Sequence, residues 1–70
     1  MKNGIKIRKA KVGDTILFKR KNNNWSGTVF LVRDNSVLVH ISEQAAMHLN
    51  YETVSTVVRH DNYDVISHNV

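Results

Sequence analysis

Residues Asn22–Val32 read NNNWSGTVFLV. Three asparagines lead to the only tryptophan, Trp25, then to Ser26 and Gly27, and the stretch closes on four apolar residues. Side chains alternate across a strand, so Val29, Phe30, Leu31 and Val32 cannot all face one core. Either one pair faces out, or a bulge bends the strand. The bulge puts Val29 and Val32 inward and leaves Phe30 and Leu31 partly exposed. Gly27 stands where such a strand bends and its inward register shifts.

The neighbouring segments repeat the strand pattern. In VGDTILFK, Val12, Ile16 and Phe18 fall on one side, and Thr15, Leu17 and Lys19 on the other. Gly13 and Asp14 precede the apolar positions as a turn does. RKNNNWS reads as a polar loop. Asp34 and Asn35 offer a tight turn, because both tolerate left-handed conformations. VLVHIS sets Val37, Val39 and Ile41 against Leu38, His40 and Ser42. EQAAMHLN, residues 43–50, has helical propensity, with Ser42 as its cap, over about two turns. TVSTVVRH is a fourth strand, DN a turn and YDVIS a short fifth strand. Residues 1–10 form a basic arm that frays or adds a strand through Ile5 and Ile7. Residues 11–70 form one domain.

Seventy residues make one small domain with a limited apolar core. There is no cysteine, so no disulfide or thiolate metal site is available. At 41% apolar the chain is too hydrophobic for a disordered one. No apolar run approaches the ~20 residues of a membrane helix. The basic start MKNGIKIRKAK lacks an apolar region, so no secretory signal is expected. A cytoplasmic protein without a membrane partner is the expectation. A flat sheet of four or five short strands would leave one apolar face in water, whereas a barrel lets the inward side chains fill one another's space. The expected fold is all-β, a small five-stranded SH3-like barrel with one short helical or irregular excursion near 43–50.

The order VGD, apolar strand, loop, GTV, NSVLVHI resembles the KOW motif. The matching positions are Val12, Gly13, Asp14, Gly27, Val29, Val32, Ser36, Val37, Val39 and Ile41. With TVV at 56–58 and HDNYDVI after it, the chain is similar to a small family of uncharacterised bacterial KOW-like proteins over residues 11–66. The resemblance implies a KOW-type, SH3-like barrel. It also implies a class of partner, RNA or another protein.

Catalytic arrangements are not evident. A nucleophile and its base need a third group to orient them, and none of the serines lies in a nucleophile elbow. A domain this small also lacks the volume for a deep pocket of the usual size. No enzyme activity, cofactor or small-molecule substrate is expected. His40, His48, His60 and His68 lack the clustered N or S ligands of a closed metal site, although His40 and His60 approach each other if the third and fourth strands pair. Gly4, Gly13 and Gly27 are too far apart for a phosphate loop.

Charge supplies the leading functional expectation. The net charge is +4, unevenly spread. Residues 1–21 hold Lys2, Lys6, Arg8, Lys9, Lys11, Lys19, Arg20 and Lys21 against the single acid Asp14, a balance of +7. Residues 22–70 balance at −3. Such asymmetry fits an anionic partner. Lys19, Arg20 and Lys21 beside Trp25 match a cationic surface with an aromatic platform for RNA or a ribonucleoprotein. Lys6, Arg8, Lys9 and Lys11 of the arm would help. The plain alternative for Trp25 is a cover over one end of the barrel, its N–H satisfied by backbone. A different functional reading takes Phe30 and Leu31, with Leu17 or Leu38 beside them, as an apolar patch. That patch would serve a protein partner or a weak homodimer.

Overall fold

The computed structural model describes residues 9–67. A four-residue turn starts the sheet. The Asp14 N–H donates to the Lys11 carbonyl (3.0 Å), and Gly13 sits at φ 95°, as the third position of a type II turn requires. The Asp14 carboxylate accepts the Lys11 N–H (2.8 Å). The Gly13 N–H bonds the Val29 carbonyl (2.8 Å), and the Val29 N–H bonds the Asp14 carbonyl (2.9 Å). Two residues thus oppose one, a bulge with glycine in its left-handed first position.

Strand β1 (Thr15–Arg20) follows and turns into β2 (Asn23–Val32) through Lys21 and Asn22 alone. Both turn residues have positive φ, 51° and 65°, the signature of a type I′ hairpin. The polar loop expected over RKNNNWS is therefore a two-residue turn, and β2 begins at Asn23 rather than at Gly27. Asparagine suits the second turn position because its short polar side chain tolerates left-handed backbone.

β2 is shared between two partners. Asn23–Thr28 pair with β1, and Thr28–Val32 pair with β3 (Ser36–His40). The register between β2 and β3 slips at Phe30, so Val29 opposes Val39 and Val32 opposes Val37. Val29, Val37 and Val39 are buried, so Val29 and Val32 share the core side, and Leu31 opposes Leu38 on the other. Val32 lies at the rim of that side, 37% exposed. Gly27 is needed where β2 crosses the end of β3. A Cβ there would meet the His40 carbonyl oxygen at 2.9 Å and Val39 Cγ2 at 3.0 Å.

β4 (Ser55–Arg59) pairs with β3, and β5 (Tyr63–Ser67) pairs with β1. All pairs are antiparallel, in the order β4-β3-β2-β1-β5. The two edge strands are consecutive in the chain, linked by one 3-10 turn, His60–Asn62. In a flat sheet they would lie about 19 Å apart, whereas three residues span at most ~15 Å. The sheet must therefore coil until β4 and β5 approach. Arg20 makes a second tie, from β1 to the outer edge of β4, through the Val57 carbonyl (2.9 Å).

Helix α1 (Glu43–His48) occupies the excursion after β3. The Ser42 hydroxyl accepts the Ala45 N–H (3.0 Å). Asn50 at φ 60° ends the helix, with Tyr51 N–H on the Ala46 carbonyl (2.8 Å) and Asn50 N–H on Met47 (3.2 Å), a Schellman cap. Ala45, Ala46 and Leu49 are buried, whereas Met47 faces out. No helix among the described residues is long and apolar enough to cross a membrane.

The core gathers Ile16, Phe18, Val29, Val37, Val39 and Val58, with Ala10 from the segment before the first turn. Val12 does not join it: the type II turn lifts it to 61% exposure. Asp34 and Asn35 do form a tight turn, with Arg33 N–H on the Ser36 carbonyl (2.8 Å), yet neither has positive φ. Their left-handed tolerance is not what the turn uses.

Candidate binding groove

The geometry of β2 leaves part of the sheet open. Val29 directs its N–H and carbonyl toward Gly13 and Asp14, on the β1 side. Alternation along a strand then sends the main-chain groups of Gly27 and Trp25 the same way, and those of Thr28, Ser26 and Asn24 toward the β3 side. Thr28 meets His40 there. β3 ends at His40; Ile41 continues only the β4 side of the register, its N–H on the Val54 carbonyl (2.9 Å), and Ser42, next in register opposite Ser26, caps α1 instead. Ser26 and Asn24 therefore face a gap where the next strand would run. Among the described residues, no β3 residue pairs with either.

That gap is a groove of about 490 Å³, open to solvent. The β2 segment Asn24–Thr28 forms one wall, and His40, Ile41, Ser42 and Ala45 form the other. Its volume falls within the ~300–1,000 Å³ usual for ligand sites. The groove arises where the sheet is left unfinished, not from an enclosed cavity.

Trp25 lies half-buried at one end. Its indole N–H donates to the Arg20 carbonyl (3.0 Å), and its ring packs on His48, centroids 5.2 Å apart. Arg20 is also committed to the fold. Its guanidinium donates to the Tyr51 hydroxyl, to Thr56 Oγ1 (3.3 Å) and to the Val57 carbonyl, and it lies 5.3 Å over the Phe18 ring. Lys19 and Lys21 remain exposed, Lys19 opposite Asn24 and Lys21 in the turn.

The other basic residues stand apart from this tip. Lys11 precedes β1, roughly 20 Å of strand away. Lys9 reaches the β2–β3 turn, its Nζ on the Asp34 carbonyl (3.3 Å). Lys6 and Arg8 lie outside the described residues.

On the outer face, Leu31, Leu38 and Val57 line up directly across β2, β3 and β4. Leu31 is 40% and Val57 52% exposed. Phe30, at the bulge, stacks on His40, centroids 4.1 Å apart and 22° between planes. Leu17 is not part of this patch, because it pairs with Ser26 and Asp64 on the other side of β2.

The histidines separate. β3 and β4 do pair, but His40 opposes Ser55, and Ser36 opposes Arg59, so His40 and His60 lie at opposite ends of the pair. His60 is held by the fold: Nε2–H donates to the Arg33 carbonyl (2.7 Å), and Nδ1 accepts from the Tyr63 hydroxyl (2.8 Å). Tyr63 in turn accepts the Ala10 N–H (2.9 Å). No cluster of three metal-ligating side chains occurs among the described residues. His68 lies outside them.

Sequence reasoning missed Asn24, Ser26 and Thr28 as a groove wall. Their signal was the polar period of two, interleaved with Trp25, Gly27 and Val29, hidden by reading the stretch as a loop. No curated protein and no solved structure matches this chain. A family model described as "Uncharacterized protein conserved in bacteria (DUF2187)" matches residues 8–66, and the chain belongs to that family.

Proposed function

We propose that the chain is a non-enzymatic binding module on a KOW-like, SH3-like barrel, and that the groove beside β2 holds a protein partner. One observation carries this reading. β3 stops at His40 while β2 continues to Asn23, leaving the main-chain groups of Asn24 and Ser26 beside Trp25, Ile41 and Ala45 in a groove of mixed polarity. Trp25 lines the groove with its indole N–H already bonded to the Arg20 carbonyl, whereas Arg20 acts on a ligand through the fold and not as a free contact.

A second reading, RNA binding through charge, is favoured by exposed Lys19 and Lys21 beside Asn22–Asn24. The two readings separate in one experiment. A displayed library of random heptapeptides is panned against the wild type and against Ser26→Arg, which fills the groove from an exposed position. Clones retained by the wild type and lost by the variant support a protein partner. A uridine decamer that binds at low salt, weakens steeply by ~150 mM and leaves the library unenriched supports RNA instead.

A further inference from the structure

We infer that the groove takes an extended acidic peptide segment as an added strand on β2. The inference rests on the groove being the binding site, and adds the mode and the chemistry of what binds. The donor and acceptor of Ser26 and those of Asn24 stand two residues apart, roughly 7 Å, on one edge. An extended peptide presents N–H and carbonyl groups at that same repeat, and strand addition onto an open edge uses the match for affinity. The open edge is short, because Thr28 is already paired with His40 and the hairpin turn begins at Asn22. The added strand is therefore about four or five residues long.

Side-chain chemistry sets the class of segment. On the core side an incoming side chain meets Trp25, Ile41 and Ala45, so an apolar residue belongs there. None of the ten lining residues is acidic, and the tip of the hairpin offers Lys19 and Lys21, both exposed. An acidic residue near that tip is attracted, and a basic one is repelled.

The test uses the full chain, labelled with nitrogen-15, and three probes. These are acetyl-Glu-Val-Thr-Val-Glu-amide, its counterpart with lysine at both ends, and the acidic peptide N-methylated at threonine. The acidic peptide slows hydrogen exchange at the Asn24 and Ser26 amides. The lysine peptide and the N-methylated peptide each bind at least about tenfold more weakly. Ser26→Pro removes the N–H that faces the groove and keeps the β1 ladder, a position where a strand tolerates proline. It abolishes binding, whereas Ser26→Ala retains it, and the unaltered thermal midpoint of the proline variant shows that the fold survives.

Two results overturn the inference. If the acidic peptide shifts the Ser42 and Ala45 amides but binds equally well to Ser26→Pro and when N-methylated, recognition is by side chains. The added strand then fails while the groove remains the site. If no peptide shifts a groove amide at millimolar concentration and a uridine decamer does, both the inference and the protein-partner reading fail.

Discussion

The indole N–H of Trp25 donates to the main-chain carbonyl of Arg20, 3.0 Å away, and the Arg20 side chain crosses from there to the edge of β4. Of the four hairpin residues expected as ligand contacts, Arg20 thus ties β1 to β4, and Trp25 is anchored on its main chain. A guanidinium offers a planar fork of donors that an ammonium cannot reproduce. Arg20→Lys is expected to lose about 1–3 kcal/mol, from hydrogen bonds to Tyr51, Thr56 and Val57. The corresponding fall in thermal midpoint is ~4–8 °C per kcal/mol for a domain of this size. Lys19→Ala and Lys21→Ala should leave the midpoint unchanged. Thermal denaturation followed by circular dichroism checks all three.

Gly27 sits where β2 crosses the end of β3. The methyl group of Gly27→Ala would lie 2.9 Å from the His40 carbonyl oxygen, a main-chain atom that cannot swing aside. Overpacking of this kind costs about 1–3 kcal/mol. Urea unfolding should show a lower midpoint with an unchanged slope. Ser26→Ala, one residue away and exposed, serves as the control.

Tyr63 joins three parts of the chain through one hydroxyl, which donates to His60 Nδ1 and accepts from Ala10. Tyr63→Phe keeps the ring and strands both partners. The expected loss is about 1–3 kcal/mol, the cost of partly buried polar groups left unsatisfied. The same variant should speed amide exchange at Ala10, which reports on how the segment before the first turn is held.

If RNA is the partner, Lys19 and Lys21 act on phosphates. Each alanine substitution should then weaken binding of a uridine decamer and lower the salt slope by about one. Unchanged slopes in both variants would remove the hairpin tip from any nucleic-acid contact.

Most strands were legible as alternation. YDVIS is β5 residue for residue, and the inward set of Ile16, Phe18, Val37 and Val39 follows from period two. The bulge was one of two solutions that four apolar residues in a row leave open, and the register shifts at Phe30, three residues after the Gly27 bend where the sequence places it. The hairpin was not. Asparagine-rich composition suggests a loop, but two left-handed residues suffice for the turn, and Asn23 and Asn24 are strand. The groove was not legible either, because it depends on where β3 stops relative to β2. That offset comes from the helix cap at Ser42, the residue next in register opposite Ser26. The roles of Arg20 and His60 rest on contacts 27 to 37 residues distant in sequence, which no local pattern reveals.

The central claim is that β2 carries an open edge at Asn24 and Ser26. Residue-resolved hydrogen exchange on the free protein tests it most directly. The account predicts alternation: slow exchange at Trp25 and Gly27, whose N–H groups join the β1 ladder, and fast exchange at Asn24 and Ser26. Equal protection at all four amides would contradict it, because the edge would then be closed and the groove would have no main chain to offer.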